Sequence, residues 1–394
     1  DLSTANYHLL LGNAGDDLFV FGLKSSVSFL SSTPLIQCDG TFRCCPAGFA
    51  QLYILHATIN NVSHPVLYVL SRSMTSESYH KMFDLIETIA QTNGTTVFNR
   101  AVNVIVDFEK AAKKELESVV GAKHVHGCYF HFAQSVYRNL RALKAHYDGR
   151  HGDETNRDGI AVFKLVRRLM ALPFLPACLI NVETIDEVRN SCVVADKRLR
   201  GQIDAFVSDY FIKNYVRDDG PYPPSFWCVC GKAVRTNNAA ESSHVFLNEK
   251  THGALSMWRF VSIIQEQMKR VRREIADGCP SHSKRIHVAI NKLLNAELFD
   301  LLDGKTPLLD YLDNCSAIVH IKNNGEKALF ERKRRAQRHS VDKKWKRVLL
   351  LAARTIANTL CLDGGKGRTL CIVKPTIPDG WFVRDFGCVE WRRG

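Results

Sequence analysis

Three acidic residues stand in local sequences suited to holding a carboxylate: Asp39 in IQCDGTF, Asp107 in AVNVIVDFEKA and Glu241 in RTNNAAESSH. Magnesium is a hard, octahedral ion that prefers oxygen and takes one or two protein carboxylates, so three such side chains suffice for two ions. Two ions roughly 4 Å apart clamp an in-line displacement at phosphorus, one at the attacking oxygen and one at the leaving oxygen. The expected chemistry is metal-dependent phosphodiester cleavage or transfer, with Asp39, Asp107 and Glu241 as ligands of two Mg2+ (or Mn2+) ions.

Each residue also has a plainer reading. Asp-Gly is a strong turn dipeptide, so Asp39 could open a hairpin. It lies, however, between Leu35-Ile36 and Thr41-Phe42, inside an apolar strand pattern, and Gly40 would let a substrate backbone approach closely. Asp107 could cap the next helix. That role is compatible with ligation, because the end of a central strand beside a helix N-terminus is where ligands of α/β sheets bind. Asn238-Ala-Ala-Glu241 has capping-box spacing. The alternative is that Asn238 caps the helix while Glu241 turns toward the aspartates.

The elements that must position these residues follow from hydrophobic period. LIQCDGTF, QLYILHATI and HPVLYVLS read as a three-strand antiparallel meander over 35–72. SESYHKMFDLIETIAQ places Tyr79, Met82, Phe83, Ile86 and Ile89 at helical spacing. AVNVIV suits a strand buried on both faces, EKAAKKELESVV a helix, AKHVHGCYF a fifth strand, and a helix starts at His131. Between 145 and 225 the pattern turns helical and polar. The expected fold is α/β: an RNase H-like mixed five-stranded sheet flanked by helices, interrupted by an all-helical insertion, with a mostly helical basic C-terminal segment. The expected divisions are an N-terminal remnant (1–34), a first core part (35–144), the insertion (145–225), a final core part carrying Glu241 (226–275) and the C-terminal region (276–394).

DGTF at 39–42, VDFEKA around Asp107, GCYFHFAQ at 127–134 and RTNNAAESSHVFLN at 235–248 together resemble the Mutator-like element (MULE) transposases over about 35–250. The resemblance implies an RNase H-like domain with a DDE triad (Asp39, Asp107, Glu241) and a helical insertion between the second aspartate and the glutamate. It also implies double-stranded DNA, both terminal repeats and target, as partner. Cys128 and His131 match the family's C-x-x-H pair. Two ligands are too few for zinc, so a structural or orienting role is expected. Trp227, ahead of the glutamate, is a candidate to stack on a flipped base, against a plainer role in the core. The family's zinc-binding DNA-recognition domain would stand ahead of the core, where roughly 35 residues precede the first expected strand.

Net charge of +13 favours a polyanionic partner. The helix VSIIQEQMKRVRREI sets Lys269, Arg270, Arg272 and Arg273 opposite its apolar face, and these join Arg235 as candidate DNA contacts. Arg334 and Arg335, then Lys343 and Lys344, belong to two basic clusters that read equally as a bipartite nuclear signal, a phosphate-binding face or a solvated helix surface. Nuclear residence follows from the resemblance. Thirteen irregularly spaced cysteines fit a reducing compartment. No leader or uninterrupted apolar span is seen, so no membrane is expected; VLLLAARTIANTLCL is broken by Arg354. Paired element ends predict a homo-oligomer on DNA. The competing expectation is a domesticated, non-catalytic nuclear DNA-binding or regulatory protein that keeps the fold.

Overall fold

Apolar β-branched runs in the first 130 residues build one sheet, and amphipathic helices cover it. The computed structural model describes residues 9–42, 44–59, 62–99, 102–140, 157–236, 238–250, 255–277 and 284–319. Among these the strands are β1 (Leu10–Ala14), β2 (Leu18–Gly22), β3 (Leu35–Thr41), β4 (Gln51–Ile59), β5 (Val62–Ser71), β6 (Asn103–Val106) and β7 (Val125–Gly127). They form an open sheet in the order β1-β2-β5-β4-β3-β6-β7. The meander β3-β4-β5 is antiparallel, whereas β6 joins β3 in parallel and β7 joins β6 in parallel.

The sheet has seven strands where five were expected. The two extra ones form a hairpin within the stretch read as an N-terminal remnant, with Gly15 at φ 60 in its turn. The hairpin is held because β2 pairs along β5 and buries Leu18, Val20 and Phe21. Each strand is only five residues long. Alternation over so short a run does not distinguish a strand from a loop; pairing partners decide it.

Alternate residues of each strand serve two cores. On one face α1 (Lys24–Ser32), α2 (Ser76–Thr92) and α3 (Lys110–Val120) pack with Ile36, Cys38, Tyr53 and Val104. On the other, α9 (Asn238–Lys250) and α10 (Met257–Ala276) bring Leu247, Phe260, Ile263, Ile264 and Met268 onto Leu52, Ile54, Tyr68 and Leu70. The chain thus returns after a long excursion to cover the face that Asp39 shares.

That excursion is helical. α4 (Tyr129–Leu140) leads out, followed by α5 (Arg157–Ala171), α6 (Val182–Asn190), α7 (Lys197–Ala205), a π-helical run over Phe206–Val216 and the single turn α8 (Pro224–Trp227). After α10 come α11 (Lys284–Leu302) and α12 (Leu308–Val319). α12 packs on α5: buried Arg168 forks onto Asp313 at 2.8 and 2.7 Å, and the Tyr311 hydroxyl donates to the Phe174 carbonyl at 2.8 Å. The C-terminal helices therefore brace the insertion. No helix among the described residues is long and apolar enough to cross a membrane.

Candidate functional site

Asp39 is part of a strand and not of a turn. Its partner across the antiparallel ladder is Ile54, and its buried side chain shares the Ile54 face. Gly40 points the other way, where a Cβ would meet Gln51 Oε1 at 3.0 Å and a Tyr53 ring carbon at 3.5 Å. The glycine therefore serves close packing within the protein, and the expected approach of a substrate backbone is replaced by Gln51. This is a consequence of the pleat, which sends neighbours to opposite faces.

Asp107 follows the last residue of β6. Gln37 of β3 is level with Ile105 of β6, so two positions further on Asp39 and Asp107 stand at the same end of neighbouring parallel strands. Such strands lie roughly 4.8 Å apart. Asp107 is not the helix cap: α3 has Glu109 at that position, and Asp107 Oδ1 accepts the Glu109 N–H at 3.1 Å. The turn is held from behind by aromatic rings. Phe108 lies 5.0 Å from Tyr222, 5.3 Å from Phe226 and 5.8 Å from Tyr215, centroid to centroid, and the Tyr222 hydroxyl donates to the Phe108 carbonyl. All three clamping rings come from the insertion or its exit, so the insertion holds the Asp107 turn in place. Gly127 permits this, because a Cβ there would meet Phe226 at 2.8 Å and Phe108 at 2.9 Å.

Cys128 and His131 stand at the start of α4, beside that turn. The Cys128 N–H donates to the Val106 carbonyl at 2.8 Å, stitching α4 to the end of β6, and its thiol is buried. One helical turn later His131 lies within electrostatic reach of Asp107.

Helix α9 closes the site from above the sheet. His56 Nε2 and Ser243 Oγ are 3.0 Å apart in a buried contact, Cys44 Sγ reaches Asn248 Oδ1 at 2.9 Å, and Leu247 enters the core. His244 Nδ1 lies 3.6 Å from Asp39 Oδ2. Asn238 and Glu241 occupy the first turn of this helix; their side chains lie outside the described residues. His244 and His56 were not singled out from sequence. The available signal was spacing, since ESSH sets His244 three positions after Glu241, on the same helix face.

Burial governs the electrostatics. It raises the Asp107 carboxyl, with His131 opposing the shift, and lowers His131, with Asp107 opposing. Burial pushes His244 down to about 4, helped by His131, and His56 down to about 3, helped by His244. At neutral pH the imidazoles are uncharged, and the 3.6 Å approach of His244 to Asp39, longer than a hydrogen bond, is no ion pair. Behind the aspartates, the Tyr79 hydroxyl donates to Glu109 Oε2 at 2.7 Å and Gln51 Oε1 at 3.0 Å.

Two adjacent carboxylates in a buried site ringed by neutral histidines match the hard oxygen donors that magnesium takes. Among the described residues no group of three or more His, Cys, Asp or Glu side chains is placed to hold a metal ion. Of the three carboxylates expected to act together, Asp39 and Asp107 are the two that the described side chains bring to one end of the sheet.

Trp227 is a correction. Its indole is fully buried, stacked on Phe132 at 4.5 Å and 14°, and its N–H donates to the Tyr215 and Tyr222 carbonyls. Both faces and the polar edge are used inside the protein, so Trp227 is core and not a base-stacking platform. Arg235 lies 5.5 Å over the Phe174 ring, and its carbonyl accepts the Tyr129 N–H. Lys269, Arg270, Arg272 and Arg273 are exposed on α10, whose opposite side is buried against the sheet. Arg334, Arg335, Lys343 and Lys344 lie outside the described residues. No family model, curated protein or solved structure matches the chain.

Proposed function

We propose that this chain is a DDE-type DNA transposase similar to the MULE transposases, or a close domesticated descendant. It hydrolyses a phosphodiester at an element end and joins the freed 3′-hydroxyl to target DNA. The observation that carries this reading is the pairing of Asp39 and Asp107 at one end of neighbouring parallel strands, with α9 seated against Asp39 through His244. Glu241 stands three positions before His244 in the first turn of the same helix. The succession of β3-β4-β5, α2, β6, α3, β7 and α4, interrupted by helices before α9, supports an RNase H-like core.

Asp39, Asp107 and Glu241 would hold the metal. When bound, two divalent ions supply polarisation of the attacking and leaving oxygens and offset the phosphate charge. The protein's own residues set the stage for this. β3 and β6 hold the two aspartates level, and the rings around Phe108 keep the Asp107 turn from shifting. Neutral His131 and His244 border the carboxylates without bringing positive charge into a site that must attract it. Lys269, Arg270, Arg272 and Arg273 hold the DNA backbone without reading its bases. Water and then the 3′-hydroxyl are the nucleophiles, so no covalent enzyme intermediate forms. Two element ends call for at least a dimer on DNA, and a chromosomal substrate implies the nucleus.

The test is a Mg2+- or Mn2+-dependent cleavage and strand-transfer assay on DNA bearing candidate terminal repeats, with wild type beside Asp107→Asn. Metal-dependent products from wild type alone support the reading. Equal activity of the two proteins overturns it, and salt-sensitive DNA binding without any cutting by wild type replaces it with the regulatory protein.

A further inference from the structure

Trp258 is 82% exposed, the most accessible large apolar side chain among the described residues, although indoles are on average well buried. It stands in the first turn of α10, where the N-cap Ser256 Oγ accepts the Arg259 N–H at 3.3 Å. The Leu255 carbonyl just before accepts the Ala47 N–H at 3.4 Å. Ala47 belongs to the connection between β3 and β4, so α10 starts at the end of the sheet where Asp39 and Asp107 stand, on the face that Asp39 shares. Its last turn lies at the other end, where Glu274 approaches His64, near the start of β5, at 3.6 Å. Trp258, Ser262, Gln265, Lys269 and Arg272 recur at i, i+4, i+7, i+11 and i+14, an outward stripe opposite buried Phe260, Ile263 and Val271. The two acids of α10 are matched, Glu266 by Lys250 at 3.3 Å and Glu274 by Arg270 at 2.7 Å, so the stripe carries net positive charge.

We propose that the outer stripe of α10 is a single-strand site: Trp258 stacks on an unpaired base of DNA whose phosphates run on past Lys269, Arg272 and Arg273. The inference rests on the DNA reading above and deepens it by naming the form of the substrate, a frayed or cut end in place of closed duplex. Within a duplex both faces of a base are covered by its neighbours, so an exposed ring has nothing to stack on until a base is freed. From Trp258 to Lys269 the helix rises about 16 Å, about five nucleotides at the roughly 3.4 Å spacing of a stacked strand. Ser262 and Gln265 separate the indole from the cations, so the stripe holds no continuous apolar patch of the kind that protein partners cover. A lone ring followed by a run of cations is the composition of a single-strand site. Phe42, 60% exposed and three residues beyond Asp39, offers a second ring at the same end of the sheet.

The experiment is equilibrium binding of the full chain, without divalent metal, to fluorescein-labelled DNA of one mixed sequence, followed by anisotropy. The DNA is offered as single strand, as blunt duplex and as duplex with a short unpaired 3′ tail. Trp258→Ala is expected to weaken binding of the single strand and the tailed duplex by roughly 5–100-fold, to leave the blunt duplex unchanged, and to keep the wild-type Tm because the ring is exposed. Trp258→Phe, which retains an aromatic face, is expected to restore most of the affinity. Replacing Arg272 and Arg273 with Ala is expected to weaken all three forms, since their phosphate contacts do not depend on pairing. If Trp258→Ala binds every form like wild type, the single-strand site is refuted while the DNA reading stands. An equal loss on all three forms, blunt duplex included, assigns Trp258 to the duplex and overturns the proposal. If wild type binds none of the three at low salt, the DNA reading itself is refuted and the proposal falls with it.

Discussion

Acid should loosen the seat of α9, and His56 allows the size of the effect to be worked out. This imidazole is fully enclosed between strands and helix, with Nε2 on Ser243 Oγ at 3.0 Å and Nδ1 unpartnered. Burial holds it down to about 3 in the folded protein, against roughly 6.5 in an unfolded chain. Between these values the unfolded chain binds a proton that the folded one does not. Stability is thus whole above pH 6.5 and falls as pH drops toward the folded value. With roughly 1.4 kcal/mol per pH unit, His56 alone removes about 2 kcal/mol by pH 5 and on the order of 5 kcal/mol by pH 3. His126 and His244, also lowered by burial to about 3 and about 4, add slopes of the same sign. The assay is urea unfolding at pH 7.5 and pH 5.0 for wild type and His56→Gln, which keeps a polar contact for Ser243 but cannot titrate. Because the other histidines act in both proteins, the difference between the two pH effects isolates His56. The variant is expected to lose about 2 kcal/mol less than wild type on acidification. Identical losses would refute the reasoning, since they would mean that His56 is protonated equally in both states.

Asp107→Asn should lower metal-dependent cleavage by more than ~100-fold, at least the loss from removing one transition-state donor, while DNA binding in a filter or gel assay holds. Trp227→Ala should destabilise the protein by about 3–5 kcal/mol in chemical unfolding, because it empties a closed core site and orphans two carbonyls; loss of DNA affinity without loss of stability would contradict the burial. Replacing Arg272 and Arg273 with Ala should weaken binding to all duplex sequences alike and flatten the plot of log K against log salt by about one unit for each phosphate no longer neutralised. Asp313→Asn should strand the Arg168 charge on α5 and cost about 3 kcal/mol, read as a fall in Tm, with the insertion loosening first.

Much of the sheet was legible from sequence because its strands carry their own signal. QLYILHATI and AVNVIV are dense enough in β-branched and aromatic residues to mark buried strands, and α2 and α3 show a clear 3.6-residue period. The β1–β2 hairpin was missed because five-residue strands become strands only by pairing with β5. Trp227 illustrates the same limit at one residue. An indole ahead of a candidate catalytic glutamate suits a stacking role as well as a core role, and the partners that decide, Phe132, Tyr215 and Tyr222, come from elsewhere in the chain.

The candidate site divides along the same line. Sequence alone determined the chemistry on offer, hard carboxylates at 39, 107 and 241 with a basic chain around them, because residue type and local period are properties of short stretches. Tertiary structure alone decided that Asp39 and Asp107 share one end of two parallel strands, that the insertion's rings clamp the turn at Phe108, and that His56 and His244 border the site. Those relations join residues 68 to 205 positions apart, as between 39 and 107 or 39 and 244. No local pattern encodes such distances; they arise only when the strands pair and α9 returns to bury its apolar face on the sheet.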